Sequence, residues 1–495
     1  MTLLSDLVAG GDPVAAHRPW PRVRVDAPVW RSAIDRLASG DLTLFGLWGE
    51  TDAAHMALLD PGGSGVAILS IACPSGHYPS VGARHPPAIR LERAMRDLSG
   101  LVPDGLTDTR PWLDHGRWGS PDTPPLPYRF LPVEGEALHR IPVGPVHAGI
   151  IEPGHFRFTC DGETVVRLEE RLGYTHKGIG GLMQGASLER AATLAGRVSG
   201  DSTVAYAFAF ARAVEAALGV APPPRAVALR AAMAELERLA NHIGDTGAIC
   251  NDASFGLMLA HCAVLREQIL RAAADCFGHR LMMDRIVPGG VASNLDEPGT
   301  GRLLDLVAHV RAEMPRLTKL YDGTPSLQDR MVGTGFLVPE AVRRFAPGGF
   351  VGRASGRNFD ARRELAYAPY DTLSFAVPVR QDGDVNARVW IRLHEIDESL
   401  SMLDQLLRHL PDGPVYQPVA VARDRHAEGI AIVEAFRGDV LVWLRIADGA
   451  IERCHIRDAS WFQFPLLEAA IEGNIVADFP LCNKSFNCSY SGHDL

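Results

Sequence analysis

The sequence predicts an α+β protein built in two unequal parts, and three observations carry that reading. Its 495 residues exceed what one hydrophobic core usually organises. Short apolar runs bounded by Gly and Pro occupy both ends of the chain, while the middle carries long runs with apolar residues at three- and four-residue spacings. A polar stretch with four prolines, Gly116 to Tyr128 (GRWGSPDTPPLPY), separates a first unit from the rest of the chain, because residues before proline are pushed toward extended backbone.

In the first unit, residues 1–125, Thr43 to Trp48 and Gly65 to Cys73 read as strands and Ala88 to Leu98 as a charged helix, which together suggest a small α+β domain. A linker over 126–141 leads to the large unit, 142–495. It opens with a β-hairpin around FRFTCDG and TVVRLEE, and Ser187 then starts an alanine-rich helical stretch running to Leu218, stopped by the prolines at 222–224. Met233, Leu236, Ala240 and Ile243 form the apolar stripe of the next helix, with Glu235, Glu237 and Arg238 placed mostly elsewhere around it. Leu259, Cys262, Leu265, Ile269, Ala272 and Cys276 repeat the pattern, and Leu303 to Leu320 and Ile396 to Leu410 supply further helices. Short connections favour an antiparallel bundle of long helices flanked by short antiparallel strands. From Gly429 the chain returns to β, read as two strands joined by the turn Ala447 to Ala450.

Composition excludes several function classes. Hydrophobic residues at 46% and charged residues at 22% are globular values, and a formal charge of −10 supplies no basic footprint for nucleic acid. No run of eighteen or more apolar residues predicts a membrane-spanning helix, and the first residues carry no basic-then-apolar secretory pattern, so the expected location is cytoplasmic. Eight scattered cysteines read as reduced core residues, with only Cys482 and Cys488 close together. The Gly-rich segment Phe345 to Gly356 matches neither a P-loop nor a dinucleotide fingerprint.

The stretch Gly144 to Leu182, GPVHAGIIEPGHFRFTCDGETVVRLEERLGYTHKGIGGL, resembles the opening of the large subunit shared by membrane-linked nickel-iron hydrogenases and the quinone-site subunit of respiratory complex I. GRVSGDSTVAYA at 196–207, VEAFRGDV at 433–440 and the closing DFPLCNKSFNCSYSGHDL continue the resemblance, which covers about Pro142 to Leu495. Ahead of it, RLERAMRDLSGLVPDGLTDTRPWLDHGRW at 90–118 is similar to the end of the complex I accessory subunit, which some formate-hydrogenlyase large subunits carry as an N-terminal fusion. The resemblance implies a hydrogenase-large-subunit-like fold and an oxidoreductase role of the NADH-quinone-oxidoreductase or hydrogenase type, exercised only within a complex. Its implied partners are a small iron-sulfur subunit, a ferredoxin-like subunit and membrane-arm subunits, through which the chain would sit on the inner face of the cell membrane. Its implied cofactors are a quinone and an iron-sulfur cluster in the partner.

In the hydrogenases four thiolates hold nickel and iron, one pair in an Arg-x-Cys-Gly-x-Cys segment and one near the C-terminus, because soft sulfur ligands suit nickel. The matching segment here is Arg197-Val198-Ser199-Gly200-Asp201-Ser202, with serine at both cysteine positions, and an alcohol supplies no thiolate at neutral pH. No intact nickel-iron site is therefore expected. A remnant site from Cys482, Cys488 and His493 is the alternative; the plainer reading makes the two cysteines small packed residues. For quinone, His147 in GPVH is the implied hydrogen-bond donor, whereas the family's tyrosine falls at Gly200, so half of that pair is missing. Gly180 stands where hydrogenases place a proton-carrying glutamate. His176 is implied near the iron-sulfur interface, where it would tune a cluster, with a backbone-satisfied loop histidine as the plainer reading. Arg437 resembles the arginine over the hydrogenase metal site, against an ordinary solvated turn arginine. Asp201 and Asp478 are expected to face one another across the old cavity, against two exposed carboxylates. The candidate site is thus His147, His176, Arg197, Ser199, Asp201, Ser202, Arg437 and Asp478. Electron transfer to or from quinone competes with a non-catalytic coupling role and with a modified metal centre.

Overall fold

The computed structural model describes residues 3–60, 65–118, 127–148, 151–421 and 425–495. Its first sheet has the order Asp12–Pro13, β1 (Arg22–Val25), β4 (Val66–Ala72), β3 (Ala53–Leu59), β2 (Thr43–Gly49), with β1 and β4 parallel and the remaining pairs antiparallel. Helix α1 (Ala27–Ser39) covers it. Asp26 caps that helix by accepting from Val29 N, Pro28 sits in its first turn, and Gly40 ends it at φ 84°. Its apolar stripe, Trp30, Ala33, Ile34 and Leu37, is buried. The charged segment near residue 90 is helix α2 (Ile89–Ser99).

Most of the proline-rich connector, residues 119–126, lies outside the described residues. Strand β5 (Leu138–Val143) begins within the span expected as linker and joins the hairpin β6 (His155–Asp161) and β7 (Thr164–Arg171) in a three-stranded sheet ordered β7-β6-β5.

The stretch expected as one helix from Ser187 is two, α3 (Leu188–Ala195) and α4 (Thr203–Leu218). Ser187 does cap the first, accepting from Arg190 N. Between them, Gly196 to Ser202 leaves the helix because Ser and Asp side chains bond one another and Gly resists ordering, a competition that alanine richness on either side concealed. Pro224 stops nothing; it opens the next helix, α5 (Pro224–Asp252), at the one position where its missing N–H costs no bond. Helices α6 (Gly256–Phe277), α7 (Glu297–Asp322) and α8 (Val385–Arg408) complete the bundle. The charged residues of α5 do not face water: Glu235, Glu237 and Arg238 are buried with the apolar stripe, so the helix is covered all round.

The closing β region has three strands where two were expected: β8 (Ala427–Ala435), β9 (Gly438–Ala447) and β10 (Ala450–Arg457). The expected turn before Ala450 joins β9 to β10; a second turn of the same two-residue length, Phe436-Arg437, joins β8 to β9. Gly438 makes it feasible, with φ 132° and the Gly348–Gly349 backbone within 3.0 Å of where a Cβ would stand. Strand β8 also pairs in parallel with His17–Arg18, and Arg22 donates to both oxygens of Glu428 at 2.6 and 2.5 Å. The N-terminal sheet is thereby bound to the C-terminal one, and its two faces feed two different buried clusters: Phe45, Trp48 and Ile68 join the bundle, whereas Leu44, Met56 and Leu69 join the β6–β7 hairpin. Helices α9 (Ser460–Ile471) and α10 (Phe479–Phe486) close the chain, followed by a last turn, Tyr490–Asp494.

Candidate functional site

Three loops that are far apart in sequence meet at one point. The break between α3 and α4 brings Ser199, Asp201 and Ser202; the β8–β9 turn brings Arg437; and the tail beyond α10 brings Asn487, Ser489 and Gly492. Asp201 is the centre. Its Oδ1 accepts from Ser199 Oγ (2.7 Å), Ser202 Oγ (3.2 Å) and Arg437 Nη1 (2.9 Å), and its Oδ2 from Arg437 Nη2 (2.6 Å). Arg437 also donates to Ser202 Oγ (3.0 Å) and, through Nε, to the Asn487 carbonyl (2.5 Å). A chain of donors then runs out of the tail: Gly492 N to Ser489 Oγ (2.9 Å), Ser489 Oγ to Ser199 Oγ (3.2 Å), Ser199 Oγ to Asp201.

Electrostatics follow from this geometry. Burial alone would raise the Asp201 carboxyl, but the Arg437 guanidinium and the two hydroxyls hold it well below the usual carboxylate range, so it is ionised at neutral pH. Arg437, 4% exposed, is correspondingly held cationic by Asp201. It is not the solvated turn arginine that composition favours. Tyr206, buried on α4, donates to Asp458 Oδ2 (2.5 Å), while Asp458 Oδ1 accepts from Ser460 N (2.8 Å). Burial and that carboxylate push the phenol far above its ordinary range, so it remains a neutral donor.

The spacing matters. Ser199-x-x-Ser202 and Ser489-x-x-Gly492 are two pairs with two residues between members, and the structure sets Ser489 against Ser199. Cys482 and Cys488 are not the tail's contribution. Cys482 lies under Gly335 and Arg388, its thiol pushed up to about 11 by burial, and Cys488 Sγ points to Gln463 Oε1 at 3.9 Å, its thiol raised further still. His493 stacks on Trp461 at 3.9 Å and pairs with Asp494 Oδ1 (2.9 Å). The three tail residues therefore have separate partners, and among the described residues no three His, Cys, Asp or Glu side chains gather as metal ligands. At the serine cluster itself the donors are hydroxyls. Position 492 has no room for a side chain, since a Cβ there would stand 2.6 Å from Tyr206 Oη and 2.9 Å from Asp458 Cγ. A four-thiolate centre does not fit this donor set.

Of the other sequence candidates, Arg197 turns away and forms a bidentate pair with Asp284 (2.8 and 2.7 Å), both side chains well exposed. Asp478 pairs with Arg330 at 3.0 Å and does not face Asp201. Their expected place in one cleft is corrected by these partners: a guanidinium fixes each carboxylate where it finds it. His147 donates through Nε2 to the Gly154 carbonyl (2.8 Å) and lies beside Phe156. His176 donates through Nδ1 to the Asp494 carbonyl (2.8 Å), packs on Trp118 and lines a cavity of about 440 Å³ shared with Trp48, Trp443 and His455. Around Gly200 there is open space, whereas a Cβ at Gly180 would approach the Cys454 carbonyl to 3.3 Å.

Sequence reading missed Ser489, Gly492, Asn487, Tyr206 and Asp458. The first two had a signal, the repeated two-residue spacing; the others had none without the fold. It also missed Tyr490, whose ring touches Gly154 and Phe156, the same two residues that hold His147.

With this geometry in view, the comparisons agree on one family. Residues 254–426 match the family of the respiratory-chain NADH dehydrogenase 49 Kd subunit. Formate hydrogenlyase subunit 5 of Escherichia coli is 32% identical over 438 residues, covering 84% of this chain and 77% of that protein. An NADH-quinone oxidoreductase subunit of Syntrophobacter fumaroxidans is 29% identical over 357 residues, 71% of this chain and 95% of the relative. A chain of the membrane-bound sulfane sulfur reductase, an archaeal respiratory membrane complex, shares the fold with a TM-score of 0.68 at 23% identity, over 74% of this chain and all of that one. The chain belongs to the large-subunit family in which the respiratory-chain NADH dehydrogenase subunit and the large subunits of membrane-linked hydrogenases are relatives.

Proposed function

We propose that this chain is the large subunit of a membrane-associated complex I-like or hydrogenase-related oxidoreductase, that it contains no nickel-iron centre, and that it serves electron transfer to or from a quinone at its face toward an iron-sulfur subunit. One observation carries the reading: the place where two thiolate pairs would converge holds Ser199, Ser202, Ser489 and Gly492 around the Arg437–Asp201 pair. Three hydroxyls and a glycine give nickel no soft donor. The relatives named for NADH-quinone oxidoreduction and for formate hydrogenlyase or hydrogenase activity support the complex. No helix among the described residues is long and apolar enough to cross a membrane, so attachment falls to partner subunits. The exposed apolar side chains Val146, Ile151, Tyr174 and Leu182, close to the His147 and His176 loops in sequence, and Trp118, packed on His176, favour that face as the one a partner covers. The domain reading, an accessory-subunit-like unit over 1–125, a linker over 126–141 and the large unit over 142–495, is part of this proposal.

For the quinone, His147 is the assigned donor to a carbonyl oxygen, its Nε2 N–H turning from the Gly154 carbonyl to the ligand, and Tyr490 on the same Gly154–Phe156 wall replaces the hydroxyl that Gly200 lacks. The test is quinone reduction by the purified complex with a short-chain quinone. His147→Ala is expected to lower turnover more than tenfold, and Tyr490→Phe less. A second reading, a non-catalytic coupling subunit, is favoured by how fully protein groups bond one another at the serine cluster; unchanged turnover in His147→Ala selects it.

A further inference from the structure

Helices α5 and α8 meet along two buried charged stripes. On α5 these are Glu235, Arg238, His242 and Asp245, and on α8 Arg388, Arg392, Glu395 and Ser399, each set following the three- and four-residue spacing of one helix face. The rungs pair in antiparallel register: Asp245 with Arg392 (3.3 Å), His242 with Glu395 (2.7 Å) and Glu235 with Ser399 (2.7 Å). Charge buried like this costs free energy, and ion pairing alone seldom returns it, so its presence asks for another role.

From the middle rung the network spreads. Arg353 donates to Glu395 Oε1 (2.7 Å) and to Glu434 Oε1 (2.9 Å) and lies 3.4 Å from Asp360. Asp360 pairs with Arg362 (2.7 Å), Arg362 with Glu235 (3.0 Å), and Glu235 with Arg238 (3.2 Å). This connected network holds three guanidinium groups, Arg238, Arg353 and Arg362, against four carboxyl groups, Glu235, Asp360, Glu395 and Glu434. One carboxyl is in excess. Two neighbouring pairs, Arg457–Asp439 and Arg392–Asp245, are each balanced within themselves, and the next cations out are Arg357, half-buried, and Arg388, buried and bonded to Ser485 Oγ and the Gly335 and Gly383 carbonyls.

Glu434 is the member least able to stay ionised. It has one arginine partner, Arg353; its other oxygen accepts from Ala361 N (2.9 Å); the Glu434 N–H goes to Tyr367 Oη; and the carboxylates of Asp360 and Asp439 face it. Burial and those two carboxylates push it up to about 7 against the pull of Arg353 and Arg362. His242, paired through Nε2 with Glu395, is in the same network, and burial pushes its pKa down, so the ring stays neutral and adds no charge to this count.

We propose that the α5–α8 seam is a proton-holding site, in which a single exchangeable proton resides on Glu434 and keeps the buried network neutral. Uptake forms one O–H bond on the Glu434 carboxylate and release breaks it, with no electron moved. The seam abuts the serine cluster: Asp245 accepts from Asn487 Nδ2 at 2.9 Å, and the Asn487 carbonyl accepts from Arg437. A change of charge at Arg437–Asp201 is therefore felt across adjoining buried charges, where screening is weak.

Infrared difference spectra of the full-length chain between about pH 5 and pH 9, with carbon-13 in the glutamate carboxyls, test this directly. Buried Glu92 and Glu237, pushed up to about 7 and about 8 by burial, contribute bands of their own, so variants make the assignment. Glu434→Gln is expected to remove one titrating protonated-carboxyl band. Glu434→Asp keeps the charge, guards against a variant that fails to fold, and is expected to transfer one band from glutamate-labelled to aspartate-labelled protein. A set of titrating bands unchanged in either variant overturns the proposal, whether or not a quinone binds elsewhere.

Discussion

Placing a methyl group at position 492 tests the statement that the tail's second position is closed. A Cβ there would stand 2.6 Å from Tyr206 Oη, 2.8 Å from Ser489 Oγ and 2.9 Å from Asp458 Cγ, where about 3.5 Å is comfortable for carbon. The Ser489 hydroxyl can rotate away, but Tyr206 is fully buried and bonded to Asp458, itself buried, so relief requires the phenol to leave its carboxylate. Overpacking costs about 1–3 kcal/mol. Losing a hydrogen bond to a charged group adds about 1.5–3 kcal/mol. Gly492→Ala is therefore expected to destabilise by about 3–5 kcal/mol, read as a drop in the urea midpoint at unchanged slope. Tyr206→Phe alone forfeits the bond to Asp458 and costs about 2 kcal/mol. With both changes the closest clash is gone, so the pair should be less damaging than the sum of the singles by about 2 kcal/mol. Strict additivity, or a Gly492→Ala protein as stable as the parent, would refute the reasoning and reopen the position to a fourth ligand.

Three further outcomes are expected. Arg437→Met leaves Asp201 without its bidentate partner; because the Asp201 side chain is 34% exposed, water offsets part of the loss, and about 2–3 kcal/mol should disappear in urea unfolding. Protein matured in the presence of nickel should contain far less than one nickel per chain by elemental analysis, and Ser199→Cys with Ser202→Cys should not raise it to one, since Ser489 and Gly492 remain. Asp360, pushed up by burial but brought down to about 2 by Arg362 and Arg353, adds stability that is complete above its ordinary 3.8 and lost as pH falls toward 2; Asp360→Asn should flatten that acid limb of a stability-against-pH curve, and an unchanged limb would contradict the pairing.

What the amino-acid order determines on its own is local. Ser187 as a cap, the three- and four-residue apolar periodicity of α5 to α8 and the DGE hairpin follow from spacing and side-chain chemistry, and the serines at 199 and 202, where the resemblance to the hydrogenases implies cysteines, are visible before any fold. The break at Gly196 to Ser202 and the extra β8–β9 turn were less legible, because alanine-rich and apolar flanks masked short polar interruptions.

Only the tertiary structure decides which distant residues share a site. Ser489 rather than Cys482 or Cys488 reaches Ser199, Arg437 rather than Arg197 holds Asp201, and Asp478 belongs to Arg330, because partner choice among arginines and carboxylates depends on which loops the packed helices bring within about 3 Å. The same holds for the charged face of α5. Periodicity sets Glu235, Glu237 and Arg238 mostly apart from the apolar stripe and says nothing of His242; whether such residues meet water or a second charged helix is settled by what packs against them, and here α8 meets Glu235 and His242.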